Sequence, residues 1–256
     1  MIEATLKRDR MVVLVSLVAL TALAWVYLVI LGRDIGGMPS GGGTMMATAL
    51  KPWTALDFAL ILLMWSVMMV GMMLPSAAPM ILLFAGIARQ SREPEQPFAP
   101  VGVFICGYVL VWTAFSIAAT VLQWGLEQAA LLSPSMVSAS PYLGGGLLMA
   151  AGVYQLIPLK DVCLRYCRTP AGFLFAHWRP GAGGAFHMGV AHGAFCVGCC
   201  WMLMGLLFVG GVMNLLWVAA IAFFVLIEKV AAWGATVGRL GGMCLIVAGL
   251  VILIHG

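Results

Sequence analysis

The sequence predicts an all-α, polytopic transmembrane helix bundle, and three observations carry that prediction. The 256 residues are 63% hydrophobic and only 9% charged, and the mean hydropathy is +1.08. Such a composition is typical of integral membrane proteins. About seven apolar runs reach the roughly 20 residues that a helix needs to cross the hydrocarbon core. The runs are continuously apolar, which disfavours the alternating strands of an outer-membrane barrel.

The predicted spans follow one another through a single polytopic domain, residues 1–256. They cover about 11–31, 56–88, 98–126, 141–158, 183–211, 213–234 and 236–255. Two longer connections lie between them, GRDIGGMPSGGGTMMATALKPW on the outer side and LKDVCLRYCRTPAGFLFAHWRPGAGG on the inner side. The first is glycine-rich, and the second contains a candidate interfacial helix at about 172–178. Neither connection forms a separate domain.

The first span is predicted to be an uncleaved anchor. It follows Lys7, Arg8 and Arg10, and the Ala-Leu-Ala sequence at 22–24 resembles a signal-peptidase site. The apolar run continues without a break to Leu31, which is longer than a typical signal-peptide core. Cleavage after this segment is the alternative.

The distribution of lysine and arginine predicts a cytoplasmic N-terminus. With that orientation, eleven of the thirteen lysines and arginines lie on the inner side. These are Lys7, Arg8, Arg10, Arg89, Arg92, Lys160, Arg165, Arg168, Arg179, Lys229 and Arg239. Only Arg33 and Lys51 fall outside. The formal net charge of +4 is spread along the chain without a basic block, so no nucleic-acid partner is expected.

The fifth span contains the sequence HGAFCVGCCWMLMG, beginning at residue 192. A helical advance of 100° per residue places Met188, His192, Cys196 and Cys199 within roughly 80° of one another, and Cys200 about 40° further round. Thioether, imidazole and thiol groups are soft ligands that suit Cu(I), Zn(II) or an iron-sulfur centre. The alternative is that the cysteines pack as small apolar residues and that His192 bonds to a backbone carbonyl across a helix interface.

The second span carries a methionine stripe. Met64, Met68 and Met72 follow one another at four-residue intervals. Packing alone would explain such a stripe, because methionine fills irregular space. However, the midpoints of the second and fifth spans fall near Met72 and Val197, at one depth. This coincidence makes four of the methionines candidate thioether ligands: Met68, Met69, Met72 and Met73.

Cys163 and Cys167 lie four residues apart in the inner connection, among several cations. Nearby cations favour the thiolate, and a reducing compartment disfavours a structural disulfide. The pair is therefore a candidate metal-transfer or redox site that a soluble metal carrier could contact from the cytoplasm. The alternative is ordinary surface cysteines beside a basic patch that binds phospholipid.

An acidic residue in the sixth span, Glu228, is a candidate proton or metal-ion relay. An ionisable side chain at this depth is expensive and is usually partnered. The favoured alternative is a structural ion pair with Lys160, Arg168 or Arg239. Its neighbour Lys229 points elsewhere on the helix, and the lone cysteines of the third and seventh spans are expected to be core residues.

Several long motifs resemble a known family. They are MMLPSAAPM, YQLIPLKDVCLRYCRTP, CVGCCWMLMGLLFVGGVMNLLWVA and VLIEK, within about 56–90 and 150–230. These segments are similar to a bacterial family of predicted metal-binding integral membrane proteins, a family of unknown function. The resemblance implies a polytopic helical fold and metal binding at the cysteines, namely Cys163, Cys167, Cys196, Cys199 and Cys200.

Together these features predict a multi-pass protein of the bacterial inner (cytoplasmic) membrane that binds a soft transition metal between its second and fifth spans. Copper is favoured as the metal, with zinc or iron as alternatives, for transport, delivery or homeostasis. No ATP-binding loop is present in the sequence. An enzymatic role is disfavoured. The alternatives are a membrane thiol-disulfide redox enzyme and a non-catalytic subunit of a larger respiratory or oxygenase membrane complex.

Overall fold

The computed structural model describes residues 2–36, 53–90, 99–133 and 136–255. Within these ranges the chain is built from α-helices and contains no β-strand beyond one isolated bridge between Leu132 and Ser138. The helices are α1 (Ile2–Gly36), α2 (Ala55–Gln90), α3 (Ala99–Gln128), α4 (Pro141–Leu156), α5 (Pro158–Arg168), α6 (Pro170–His177), α7 (Gly181–Gly205), α8 (Leu207–Gly210), α9 (Leu215–Val230) and α10 (Gly234–His255). The all-α prediction is confirmed.

Among the described helices, five are long and apolar enough to cross a membrane. They are Arg10–Arg33, Ala55–Arg89, Pro100–Gln128, Gly181–Gly210 and Gly234–His255. These correspond to the first, second, third, fifth and seventh predicted spans, and they suit a lipid bilayer. Most of the outer glycine-rich connection, with Lys51, lies outside the described residues, as does Arg92 of the inner side.

The fourth predicted span ends at a sharp break. α4 has 16 residues, and the chain bends by 67° between α4 and α5, so the two helices together would make a sixth span. Ile157 at the break has extended backbone angles, φ −79° and ψ 137°. Pro158 then begins α5, where its missing N–H costs nothing. The break turns α5 back so that it packs beside α7.

The sixth predicted span corresponds to α9, which has 16 residues. At 1.5 Å per residue α9 is about 24 Å long, shorter than the roughly 30 Å hydrocarbon core. Asn214 caps its first turn by accepting a hydrogen bond from the Trp217 amide at 3.2 Å. A total of seven spans and a cytoplasmic N-terminus stay predictions.

Two prolines inside α2 shape its contact with α1. Pro75 has no N–H to donate to the carbonyl of Gly71, one helical turn earlier. The indole N–H of Trp25 on α1 donates to that carbonyl instead, at 3.3 Å. The second proline, Pro79, lies one turn further on, and the helix continues through both. A side chain of α1 therefore satisfies the carbonyl that Pro75 frees.

Small residues let α3 and α7 approach closely. A Cβ atom added at Gly107 would lie 3.0 Å from the amide nitrogen of Val190, and one added at Gly193 would lie 3.0 Å from the Cβ of Val111. Glycine at a helix interface permits backbone contact of this kind. The close approach brings Tyr108 of α3 against Cys196 of α7, at the centre of the bundle.

Candidate metal centre

Helix α7 turns one soft-ligand face into the protein. Its five candidate ligands are each at most 2% exposed: Met188, His192, Cys196, Cys199 and Cys200. His187, which the helical advance places on the opposite side, is exposed. The angular argument from the sequence therefore identified the buried face of this helix.

Cys196 lies at the centre of the cluster and has contacts from two other helices. Its Sγ is 3.0 Å from the Tyr108 hydroxyl of α3 and 2.9 Å from the Lys229 ammonium of α9, which donates to it. The Tyr108 hydroxyl also donates to the Met73 carbonyl at 3.2 Å, and the Ser76 hydroxyl donates to the same carbonyl at 2.8 Å. Helices α2, α3, α7 and α9 thus meet around one sulfur atom.

Helix α2 contributes a thioether to this cluster. The Cys200 thiol lies 3.8 Å from the Met73 sulfur. Side chains of the second and fifth predicted spans therefore meet at Met73 and Cys200. A common membrane depth for the two spans stays a prediction. The remaining candidate methionines of α2 are each at most 1% exposed: Met68, Met69 and Met72.

Helix α5 brings a further thiol into the same region. Cys167 is 9% exposed, and its Sγ is 3.9 Å from the Cys199 Sγ. Cys163, one turn earlier, is half-buried against Gly198, where an added Cβ would lie 2.9 Å from its sulfur. The expectation of an open cytoplasmic pair was wrong for Cys167, because the break after α4 folds α5 against α7.

The cations near Cys163 and Cys167 are engaged elsewhere. The Lys160 ammonium is fully buried and forms an ion pair with the Glu228 carboxylate of α9, which is 2% exposed. The Arg168 guanidinium donates to backbone carbonyls at the end of α9 and just beyond it, at 2.9 to 3.3 Å. Lys160 therefore neutralises the Glu228 carboxylate, and Arg168 satisfies backbone carbonyls at and beyond the end of α9. Of the three partners considered for Glu228, Lys160 is the one that pairs with its carboxylate, and Arg168 contacts only its backbone carbonyl.

His192 is buried among aromatic rings. Its ring centroid lies 5.7 Å from that of Tyr108, 5.4 Å from that of Phe173 and 6.2 Å from that of Phe104. Within the part of the chain that the structure describes, its Nδ1 atom has no hydrogen-bond partner. A buried polar atom without a partner is costly, so this nitrogen is available to a ligand.

Sequence reasoning missed Lys229. Its side chain is 5% exposed and reaches Cys196, with a second contact of 3.4 Å to the Ser76 hydroxyl. The signal was present, because an ionisable residue inside an apolar helix is a candidate site residue by default. The position of Lys229 on α9 could not show, by itself, that its side chain reaches α7.

A family model described as PpoB2, copper chaperone, matches residues 62–252. The match covers well over half of the chain and includes α3 to α9 with most of α2 and α10. The chain belongs to this family of copper chaperones. No curated protein and no solved structure matches it.

The donors around Cys196 fit the cargo of a copper chaperone. Thiolate and thioether sulfur are soft donors that suit Cu(I), and thiolates also suit Zn(II) and iron-sulfur clusters. Among the described residues, no group of three or more His, Cys, Asp and Glu side chains is arranged to hold an ion. The sulfur contacts instead come in pairs, Cys167 with Cys199 and Cys200 with Met73. Such pairs suit Cu(I), which accepts a low coordination number, better than Zn(II), which takes a tetrahedral set.

Proposed function

We propose that this protein is a multi-pass copper chaperone of the bacterial inner membrane that holds Cu(I) inside its helix bundle and passes it to a partner. The observation that carries the proposal is the meeting of sulfur donors from three helices. Cys167 comes from α5, Cys199 and Cys200 come from α7, and Met73 comes from α2. With Cys196, four buried thiols and a thioether are gathered in one region of the bundle, and they supply the soft donors that Cu(I) prefers.

The proposed ligands fall into two groups. The thiols of α5 and α7 bind as thiolates, so they hold the ion tightly and release protons when it arrives. The neutral thioethers of α2 and α7 and the open Nδ1 of His192 bind Cu(I) without a charge change. Other thioethers in the bundle offer the ion sites of lower affinity at other depths. They are Met68, Met69 and Met72 on α2 and Met188 on α7.

The proposed point of exchange with a soluble carrier is Cys163. This thiol is half-buried, whereas Cys167 on the same helix is buried, so Cys163 is the more accessible of the two. Cu(I) exchanges between sulfurs that approach each other. A carrier at the cytoplasmic face would therefore meet Cys163 first, and the ion would pass through Cys167 to Cys199.

In the proposed membrane topology the N-terminus is cytoplasmic, and α4 and α9 complete seven spans. The role of Glu228 in a relay is not needed, because Lys160 neutralises it.

A thiol-disulfide redox enzyme is the second candidate function. One observation favours it, the 3.9 Å separation of the Cys167 and Cys199 sulfur atoms. A small movement of α5 would bring them to the bonding distance of about 2.0 Å. All cysteines of the described residues are free thiols in this structure.

Copper binding by the purified protein tests the proposal. The protein is prepared without added metal, reduced, and titrated with Cu(I) under anaerobic conditions against a chromophoric competitor. We expect stoichiometric binding that is lost in Cys196→Ser and Cys199→Ser. The matched control is Cys244→Ser, which should bind as the unmodified protein does. Cys244 on α10 and Cys106 on α3 are both exposed, so the expectation that they are core residues was wrong. A redox enzyme would instead bind no copper and lose two thiols on exposure to a disulfide oxidant.

A further inference from the structure

Lys229 is an unusual neighbour for a metal-binding thiol. Its ammonium is buried and donates to Cys196 and to the Ser76 hydroxyl, and within the described ranges it forms no salt bridge. The carboxylate of the adjacent residue, Glu228, is paired with Lys160. A cation inside an apolar bundle needs a compensating negative charge. In this site, the thiol that it contacts is the group that can supply one.

The charge count of the loaded site depends on this ammonium. Cu(I) held by one pair of thiolates, such as Cys167 and Cys199, has a net charge of zero beside the ammonium. Zn(II) in the same two-thiolate site leaves one uncompensated positive charge. A net charge inside a low-dielectric bundle is disfavoured. The same donors without the ammonium would instead carry one negative charge with Cu(I) and none with Zn(II). The ammonium thus reverses the preference.

We infer that Lys229 is a specificity-determining residue, which makes the thiol site accept a monovalent soft cation and reject divalent ones. The inference rests on the proposed function, because it assumes that the thiols around Cys196 bind metal. Softness alone does not separate Cu(I) from Cd(II) or other thiophilic dications. The fixed positive charge adds a second criterion that the sulfur donors lack.

The expected size of the effect follows from Coulomb's law. At a separation of about 5 Å and an effective dielectric constant of about 20, repulsion of one additional positive charge lowers affinity on the order of 100-fold. Replacing Lys229 by an uncharged residue should therefore shift the ratio of divalent to monovalent affinity by that factor. A cation that only held α9 in place would leave the ratio unchanged.

The test compares two variants with the unmodified protein. Lys229→Met removes the charge and keeps the length of the side chain, and Lys229→Arg keeps the charge. Affinities for Cu(I) and Zn(II) are measured by competition with chromophoric ligands under anaerobic conditions. We expect the ratio of Zn(II) to Cu(I) affinity to rise about 100-fold in Lys229→Met and to stay within a few-fold in Lys229→Arg. An unchanged ratio in Lys229→Met would overturn the inference.

A second measurement needs no variant and covers the case in which Lys229→Met does not fold. Ag(I) and Cd(II) are both soft, but they differ in charge. The unmodified protein should bind Ag(I) in competition with Cu(I), and Cd(II) should not displace either ion. Displacement of Cu(I) by Cd(II) at a comparable concentration would refute charge selection. Failure of the unmodified protein to bind Cu(I) or Ag(I) would instead refute the proposed copper function.

Discussion

The Lys160–Glu228 ion pair makes a quantitative prediction about stability. The two side chains are 0% and 2% exposed, so no water can replace either partner. Arg168 donates to the backbone carbonyl of Glu228 at 3.3 Å and offers no substitute for the ammonium. Removing one member of such a pair leaves a buried charge uncompensated, which costs about 3–5 kcal/mol. We therefore expect Lys160→Met to lower the free energy of unfolding by about that amount.

The double variant separates the ion pair from the packing around it. In Lys160→Met with Glu228→Gln, neither side chain is charged, and the volumes are nearly kept. Replacing a buried ion pair by neutral groups is often close to neutral, because the desolvation cost disappears with the attraction. The double variant should therefore recover most of the stability that Lys160→Met loses. The two substitutions should be strongly non-additive.

Unfolding in mixed detergent micelles gives the required free energies. The fraction of folded protein is followed by tryptophan fluorescence, for which the chain has nine reporters. The matched control is Arg239→Met, because the pair of Arg239 with Asp161 is 3.6 Å long and its side chains are 65% and 43% exposed. An exposed pair of this kind contributes about 0–1 kcal/mol. If Lys160→Met cost no more than the control, our reasoning about a buried uncompensated carboxylate would be wrong.

Three further predictions concern the site. A maleimide should modify Cys163 at least about 10-fold faster than Cys167 in the folded protein, because only Cys167 is buried. Mass spectrometry of the modified peptides measures both rates, and equal rates would contradict the prediction. Gly198→Ala should weaken Cu(I) binding measured by competition, since the new methyl would lie 2.9 Å from the Cys163 sulfur and push α5 away from α7. An unchanged affinity would contradict the proposal that the thiols of α5 bind the ion. Tyr108→Phe removes two hydrogen bonds and should lower the free energy of unfolding by about 1 kcal/mol in the detergent assay. Stoichiometric copper binding should persist, and its loss would make Tyr108 a ligand.

Hydropathy was sufficient to predict the long helices, and helical periodicity was sufficient to predict which face of α7 is buried. Both patterns are local, because hydropathy and helical periodicity can be read from the residues of one helix without knowing its neighbours. The depth comparison predicted that a methionine of the second span would lie near the cysteines of the fifth, and the Met73 sulfur is 3.8 Å from the Cys200 thiol. That argument needed the two helices to be neighbours, which the sequence did not show.

The sequence did not reveal the environment of α5. Its segment PLKDVCLRYCR is rich in charge, and charged segments between spans normally lie in water. The 67° break puts this helix against α7 instead, where the charges of Lys160 and Arg168 are satisfied by α9. Pairing of charges across helices distant in sequence is a tertiary property. For the same reason, the contact between Lys229 and Cys196 could not be predicted from either helix alone.

The hydrogen bond from Trp25 to Gly71 limits how far this fold can be shortened. Helix α1 lies entirely before residue 62, where the family match begins, and many of its side chains are exposed. It therefore resembles a dispensable leader to a domain that is complete without it. However, deletion of α1 would remove the indole donor and leave the carbonyl freed by Pro75 without this partner in hydrocarbon, at a cost of several kcal/mol. We expect a chain that begins at α2 to be less stable in a membrane unless another helix supplies a hydrogen-bond donor in the same place, so the helix outside the family match contributes to the stability of the helices inside it.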